Sequence, residues 1–192
     1  MADEQDLDLI ETKVSSEDIF DGALLHVKRD TVKLPNGNKA TREWIKHPGA
    51  SSVIPILPDG RIVLVRQYRY PARQTFLEIP AGKTDPGESG LATAQRELLE
   101  ETGYTARHWH TLPVAWPCIG YSNEKIAYFV AEGLQAGASQ PDEGEFVELV
   151  HLPLAEVMAL ARRGELPDSK TLAGLFWLDA WQSGSLPRDP AQ

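Results

Sequence analysis

Three glutamates that could bind a cation lie close together in the chain: Glu97, Glu100 and Glu101. In a helix, Glu97 and Glu101 are four residues apart and lie on the same face. Like charges this close repel each other by about a few tenths of a kcal/mol per pair. Mg²⁺ prefers carboxylate oxygens and commonly uses one or two of them together with substrate phosphates. The glutamates therefore predict a site for a divalent cation.

The helix that carries these glutamates has clear signals at both ends. Pro86-Gly87 is typical of a turn, Ser89 is a suitable N-cap, and Gly103 suits the left-handed residue that ends many helices. Arg96 lies four residues before Glu100, which predicts a salt bridge between them. The stripe that we expect to be buried against a sheet consists of Leu91, Ala94, Leu98 and Thr102.

Short strands are expected to surround this helix. Residues 24–46 predict one hairpin, and Ser52–Leu57 with Arg61–Tyr68 predict a second around Pro58-Asp59-Gly60. The other expected elements are strands Thr75–Ile79, His110–Val114, Ile126–Ala131 and Phe146–His151, and helices Ser89–Thr102, Leu154–Arg163 and Ser169–Trp181. This order lacks the regular alternation of a doubly wound parallel sheet, so it predicts an α/β sandwich with a mixed sheet.

The composition is that of an acidic globular protein. The chain has 192 residues, of which 42% are hydrophobic and 24% charged, and its formal net charge is -9. This charge argues against a general nucleic-acid binder, because affinity for a phosphate backbone needs a basic face. The single cysteine, Cys118, excludes an intramolecular disulfide. No apolar run approaches the roughly 18 residues of a membrane span, and the acidic N-terminus lacks signal-peptide features, so we expect a cytoplasmic protein.

The spacing around the glutamates resembles the complete Nudix box. The matching residues are Gly82, Glu88, Arg96-Glu97-Leu98, Glu100-Glu101, Gly103 and the apolar Tyr104. The resemblance implies an α/β/α sandwich and hydrolysis of a nucleoside diphosphate linked to another moiety. It also implies that the box glutamates bind Mg²⁺, with Mn²⁺ as the alternative.

A longer resemblance connects the chain to the ADP-ribose pyrophosphatase branch of that family. It is carried by the stretches 43–50, 66–69, 77–83, 142–146 and 168–171. Carried over by position, it implies that Arg69 and Glu78 line the substrate site, with Arg69 contacting a phosphate. The resemblance also implies that either Glu143 or Glu145, on an acidic loop, activates water.

The metal set implied by the resemblance has four members. Glu97, Glu101 and the Ala81 carbonyl would hold two or three Mg²⁺ ions, with Glu100 assisting. Arg96 would orient a catalytic glutamate as well as pairing with Glu100.

Several tryptophan, cysteine and histidine residues are expected to have mainly structural roles. Trp44 is open to three interpretations: adenine stacking, a dimer contact or simple packing. Cys118, His108 and His110 are expected to be structural, because no arrangement for nucleophilic or zinc chemistry accompanies them. Trp177 and Trp181, four residues apart, are expected to pack from one helix.

The domain expectation is a small N-terminal antiparallel β unit over 1–47 and a Nudix hydrolase domain over 48–192. A unit this small needs support, so we expect a homodimer in which residues 1–47 pack partly on the partner and help to shape the adenine site.

The expected activity is Mg²⁺-dependent hydrolysis of a nucleoside diphosphate sugar, with ADP-ribose giving AMP and ribose 5-phosphate. One departure keeps another sugar open: Ile119 replaces the proline that the branch usually has before Gly120, in a loop that faces the terminal sugar. The first alternative is therefore a Nudix hydrolase of GDP-mannose or ADP-glucose. The second is a regulatory module that binds ADP-ribose without cleaving it, although such modules usually lose box glutamates, which are all present here.

Overall fold

A computed structural model describes residues 9–137 and 146–186 of the protein. The strands are β1 (Thr12–Asp21), β2 (His26–Lys33), β3 (Lys39–Lys46), β4 (Ala50–Pro55), β5 (Arg61–Arg69), β6 (Gln74–Glu78), β7 (Ala81–Lys83), β8 (Tyr104–Thr105), β9 (His108–Ala115), β10 (Ile126–Glu132), β11 (Gln135–Ala136) and β12 (Val147–Pro153). The helices are α1 (Gly90–Thr102), α2 (Leu154–Arg162) and α3 (Ser169–Gln182), and a short 3-10 turn covers Tyr70–Ala72. Contacts divide the described chain into two units, one formed by 9–47 with 118–124 and the other by the remainder.

The first unit is a three-stranded antiparallel sheet in the order β1-β2-β3. Its β2 and β3 form the hairpin predicted over residues 24–46, with Gly37 at φ 86° in the turn. The segment Cys118–Glu124 joins this sheet, and the Ile45 N–H donates to the Tyr121 carbonyl at 2.8 Å.

The strand β1 has no counterpart in the sequence-based expectation. All ten of its residues are exposed, and it pairs with β2 along its length. Its sequence, TKVSSEDIFD, lacks the alternation of apolar and polar residues that marks a strand with one buried face. Pairing with a neighbour, rather than a buried face, therefore holds this strand.

The second unit contains two larger sheets. One has the order β7-β4-β10-β9, with β4 and β10 parallel and the other pairs antiparallel. The other is antiparallel in the order β12-β5-β6. A two-stranded sheet joins β11 and β8. The mixed sheet expected from the sequence is confirmed.

The strand β4 is buried on both faces. On one side Val53 belongs to a cluster with Leu98 of α1 and Ala131 of β10. On the other side Ile54 belongs to the main core with Leu175 of α3. Helices on opposite faces of a sheet give the α/β/α sandwich that was expected.

The expectation of a second hairpin, formed by Ser52–Leu57 and Arg61–Tyr68, is wrong. The strands β4 and β5 lie in different sheets, and a single bridge between Ile56 and Ile62 connects their ends. The Pro58-Asp59-Gly60 turn is present, with Gly60 at φ 83°. In its own sheet β4 lies between the parallel strand β10 and the antiparallel strand β7, and burial on both faces is typical of a strand in a parallel pair.

The expected buried stripe of α1 is wrong at one position. Leu91 is 37% exposed, whereas Ala94, Leu98 and Thr102 are buried as expected. The buried face is rotated toward Glu97 and Glu101, and its full membership is Thr93, Ala94, Glu97, Leu98, Glu101 and Thr102. The two glutamates are therefore part of the face that α1 packs inward.

The helical boundaries otherwise agree with the expectation to within a residue or two. Asp168 caps α3 by accepting from the Thr171 N–H at 2.9 Å. Trp177 and Trp181 pack against the main core as expected. Within the ranges that the structure describes, no helix combines the length and hydropathy that crossing a bilayer requires.

Candidate active site

Arg96 gathers the acidic residues of α1 and of the loop before it. Its Nη1 donates to Glu97 Oε1 at 2.7 Å and to Glu100 Oε2 at 2.9 Å. Its Nε donates to Glu88 Oε1 at 3.1 Å, and its Nη2 donates to the Lys83 carbonyl at 2.9 Å. The salt bridge predicted between Arg96 and Glu100 is confirmed.

Glu88 is the most strongly perturbed acid of this cluster. The hydrogen bond from Arg96 lowers the pKa of Glu88 to about 2, with help from the Asp85 N–H and the Thr93 hydroxyl. In return, the hydrogen bond to Glu88 raises the pKa of Arg96. Thr93 is fully buried, so Glu88 fastens the start of α1 to the loop that precedes it.

The strand β7 brings the backbone of the Ala81–Lys83 segment against the glutamates of α1. Glu101 Oε2 accepts the Ala81 N–H at 3.1 Å. A Cβ built on Gly82 would lie closer than 3.0 Å to all three terminal atoms of Glu97. The absence of a side chain at Gly82 therefore makes the space that the Glu97 carboxylate fills.

Arg69 and Glu78 form a second polar group, on the neighbouring strands β5 and β6. Arg69 Nε donates to Glu78 Oε1 at 2.8 Å and Nη2 donates to Oε2 at 2.7 Å, a bidentate pair. Burial alone would raise the pKa of Glu78, but Arg69 and Lys170 outweigh it and hold that pKa below its usual value.

The two groups share one electrostatic environment. The hydrogen bond to Glu78 is the main cause of the raised pKa of Arg69, and the charge of Glu101 adds to it. The two residues expected to line the substrate site, Arg69 and Glu78, form one of these groups. The residues expected to bind metal belong to the other: Ala81, Glu97, Glu100 and Glu101. The structure brings them to adjoining parts of the same unit.

Comparisons with known proteins agree with this arrangement. A family model described as NUDIX domain matches residues 46–175, more than half of the chain. The chain belongs to the Nudix family. A second model, described as nucleoside diphosphate sugar hydrolase N-terminal domain, matches residues 11–45 of this Nudix protein.

Individual relatives cover most of the chain. A Bacillus subtilis protein named ADP-ribose pyrophosphatase is 38% identical over 172 residues, which span 88% of this chain and 93% of the relative. A Bacillus methanolicus protein named methanol dehydrogenase activator is 40% identical over 170 residues, 88% and 92% of the two chains. A solved structure titled as an ADP compounds hydrolase has a TM-score of 0.80 at 26% identity, covering 91% of this chain and 95% of that one. The expected membership of the ADP-ribose pyrophosphatase branch, and the expectation of a Nudix hydrolase, are confirmed.

The donors at the Nudix box fit a hard divalent cation. The Glu101 carboxylate accepts from the Ala81 N–H, and the Glu97 carboxylate lies against the next residue, Gly82, which has no side chain to displace it. Oxygen donors of this kind suit Mg²⁺, which keeps several of its waters. Across residues 9–137 and 146–186, no three His, Cys, Asp or Glu side chains are preassembled as a ligand cage, and Arg96 instead pairs with the box glutamates.

The structure describes only some of the remaining residues that the sequence singles out. Glu143 and Glu145 fall outside the described residues. Trp44 is half-buried on β3 of the N-terminal unit. His110 pairs with Glu132 at 3.0 Å and packs against Trp181, as expected for a structural residue.

The sequence assigned no role to Lys170, which contacts Glu78, or to Asp168, which pairs with Lys170. Lys170 Nζ lies 3.1 Å from Glu78 Oε2 and 3.0 Å from Asp168 Oδ2. In the sequence, the stretch Asp168-Ser169-Lys170-Thr171 contributes only to the family resemblance. The helix-capping pattern of Asp168 was a usable signal for its position, but no local pattern connects Lys170 with a residue 92 positions earlier.

Proposed function

We propose that this Nudix enzyme hydrolyses the pyrophosphate bond of a nucleoside diphosphate sugar, with ADP-ribose as the leading substrate. The products would be AMP and ribose 5-phosphate. The observation that carries the proposal is that two groups lie next to each other. One is the oxygen donor set of Glu97, Glu101 and Ala81, and the other is Arg69, whose guanidinium has N–H groups that Glu78 does not use. The relatives named ADP-ribose pyrophosphatase support the choice of substrate.

Arg69 is well suited to bind a phosphate. The bonds to Glu78 use Nε and Nη2, so the N–H groups of Nη1 are not committed to that carboxylate. The side chain of Arg69 is 44% exposed while that of Glu78 is 3% exposed. Glu78 therefore acts as a buried anchor, and Arg69 presents its outer edge to the solvent side, where a pyrophosphate oxygen can accept from it.

The metal-binding role goes to Glu97, Glu101 and the Ala81 carbonyl, with Glu100 assisting. Bound Mg²⁺ would neutralise charge on the bridging phosphates and polarise the bond that breaks. Arg96 keeps Glu97 and Glu100 oriented by its 2.7 Å and 2.9 Å hydrogen bonds. No nucleophilic side chain is required, because water supplies the oxygen that forms the new bond to phosphorus as the bridging P–O bond breaks.

A general base must accept a proton from that water. We assign this role to Glu145, or failing that to Glu143. Glu145→Gln is expected to lower turnover at least about a hundredfold with little change in the Michaelis constant, as for loss of a general base. Normal turnover in both single variants and in the double variant, at saturating Mg²⁺, would move the assignment to Glu100.

The oligomeric state belongs to the same proposal. We propose a homodimer in which the N-terminal unit packs on its partner and Trp44 contributes to the adenine site. In support, that unit exposes a set of large apolar side chains that a second copy would cover: Val14, Ile19, Phe20, Leu24 and Leu25.

The second candidate differs only in the sugar or base. Ile119, 80% exposed, stands where the branch usually has proline, which keeps GDP-mannose and ADP-glucose as alternative substrates. The decisive experiment compares kcat/KM for ADP-ribose, ADP-glucose and GDP-mannose with Mg²⁺ and with Mn²⁺, with the products resolved by chromatography. AMP and ribose 5-phosphate as the fastest-formed products support the proposal. A higher kcat/KM for GDP-mannose would replace ADP-ribose with the alternative.

A further inference from the structure

The ammonium group of Lys170 is fully used inside the protein. It donates to the Ile79 carbonyl at 3.0 Å and pairs with Glu78 Oε2 at 3.1 Å and Asp168 Oδ2 at 3.0 Å. An ammonium has three N–H donors, and these three acceptors account for all of them. The side chain is 12% exposed. Lys170 therefore has no donor left for a substrate, although it contacts a residue expected to line the substrate site.

The other end of this arrangement is anchored to a helix. Asp168 Oδ2, which pairs with Lys170, also accepts from the Thr171 hydroxyl at 2.7 Å and from the Thr171 N–H at 2.9 Å. The Thr171 hydroxyl in turn accepts the Ile79 N–H at 3.0 Å. The N-terminus of α3 thus clamps the end of β6, where Glu78 lies, through both the backbone and a buried ion pair.

The charges of the four ionic side chains balance. Arg69 and Lys170 are positive, and Glu78 and Asp168 are negative. A buried carboxylate with one cation removed is left undercompensated and tends to move or to take up a proton. Since Glu78 holds Arg69 by two bonds, any movement of Glu78 moves the guanidinium as well.

We infer that Lys170 is a positioning residue, which fixes Glu78 by pairing with Oε2, the oxygen that also accepts from Arg69 Nη2, so that Arg69 is held ready for the substrate pyrophosphate. This inference rests on the proposed function of Arg69. Lys170 acts through Glu78 and does not touch the substrate. Its loss weakens substrate binding because the guanidinium is no longer held at the required angle.

The kinetic test is a double-variant cycle. Lys170→Met is expected to raise KM at least tenfold while kcat changes little. Arg69→Met is expected to raise KM by more, and the double variant should be no worse than Arg69→Met alone, because Lys170 acts only through Arg69. If the two increases in KM multiply instead, Lys170 acts independently of Arg69 and the inference is overturned.

Thr171→Val provides the matched structural control. It removes a fully buried hydroxyl that joins α3 to β6 but leaves every charge around Glu78 in place. Its Tm is expected to fall, and KM is expected to rise by much less than in Lys170→Met, because the Thr171 hydroxyl holds the Ile79 backbone rather than the Glu78 carboxylate. If Lys170→Met raises KM no more than Thr171→Val does, the role of Lys170 is purely structural. Lys170→Gln, which keeps amide donors, replaces the methionine variant if that variant does not fold.

A second measurement needs no turnover. The Nε–H signal of Arg69 in a ¹H–¹⁵N spectrum, assigned by its absence in Arg69→Met, is expected to be protected from exchange by Glu78. In Lys170→Met this signal should broaden or shift, and in Thr171→Val it should persist. An unchanged signal in Lys170→Met overturns the inference. If the wild-type protein fails to hydrolyse any nucleotide sugar, the proposed function fails, whereas this measurement still decides whether Lys170 fixes Arg69.

Discussion

Gly82→Ala is expected to lower the activity of the protein strongly while leaving its stability almost unchanged. The added Cβ would lie within 3.0 Å of the Cδ and both carboxylate oxygens of Glu97. The φ angle of Gly82 is not in the left-handed region, so alanine fits the backbone itself. The conflict is therefore with the far end of one flexible side chain, which can rotate away.

The expected change in stability is small. Displacing Glu97 breaks its 2.7 Å bond to Arg96, whose side chain is partly exposed, and such partly screened pairs contribute about 0–1 kcal/mol. Replacing glycine with alanine restricts the unfolded chain and stabilises by about 0.4–1 kcal/mol. The two effects are similar in size and opposite in sign, so the free energy of unfolding should change by less than about 1 kcal/mol.

The expected change in activity is large. To restore ordinary van der Waals contact with the new methyl group, the Glu97 carboxylate must retreat by more than about 1 Å. A misplacement of about 1 Å in a catalytic arrangement can lower the rate about a hundredfold. We therefore predict that Gly82→Ala lowers kcat on ADP-ribose at least about a hundredfold and raises the Mg²⁺ concentration needed for half-maximal rate.

Gly174→Ala is the matched control, because it makes the same substitution in the apolar core instead of beside the Glu97 carboxylate. Its Cβ would lie 2.6 Å from Ile79 Cδ1 and 3.4 Å from Tyr128 Cδ1, inside the apolar core. Overpacking of this kind destabilises by about 1–3 kcal/mol, partly offset by the helix propensity of alanine, about 1 kcal/mol. We expect a lower Tm with wild-type kcat below the unfolding range. Near wild-type kcat in Gly82→Ala, or a larger loss of Tm than in Gly174→Ala, would refute the reasoning about Glu97.

Three further predictions concern the box and the N-terminal unit. Glu101→Gln keeps the size of the side chain but removes a charged ligand, so turnover should fall by several orders of magnitude at unchanged Tm, and a near wild-type rate would refute the metal assignment. The folded-state pKa of Glu88 is depressed from 4.5 to about 2 by Arg96, so its contribution to stability is present above pH 4.5 and is lost as the pH falls toward 2. Acid unfolding of Glu88→Gln should be less steep in this window than that of the wild type, and superimposable curves would contradict the depressed pKa. The protein should be a dimer by light scattering at micromolar concentration, and a fully active monomer would exclude the proposed role of the N-terminal unit.

The features that the sequence predicted well are those encoded locally. The helix α1 follows from Ser89, Gly103 and the periodic placement of Ala94 and Leu98, all within one short segment. The placing of Glu97 and Glu101 on one helix face was likewise predictable from helical spacing, whereas their burial on the inward face of α1 was not expected.

The features that the sequence did not predict depend on pairing between distant segments. The parallel partner of β4 is β10, more than seventy positions later in the chain, whereas the turn after β4 suggested pairing with β5. The contact between Lys170 and Glu78 spans 92 positions. A polar strand such as β1 carries no periodic signal at all, because none of its residues is buried.

The charge pattern of the box bears on how this acidic protein would bind the proposed anionic substrate. The Arg96 guanidinium donates to three carboxylates, those of Glu88, Glu97 and Glu100. A fourth carboxylate, Glu101, lies on the buried face of the same helix. Arg96 therefore leaves an excess of negative charge, which would repel a pyrophosphate on its own. Under the proposed function, divalent cations would reverse that sign locally, and Arg69 would offer its uncommitted N–H donors to the pyrophosphate. Substrate affinity should consequently rise with Mg²⁺ far more steeply than ionic strength alone explains, because the cation converts a repelling surface into an attracting one.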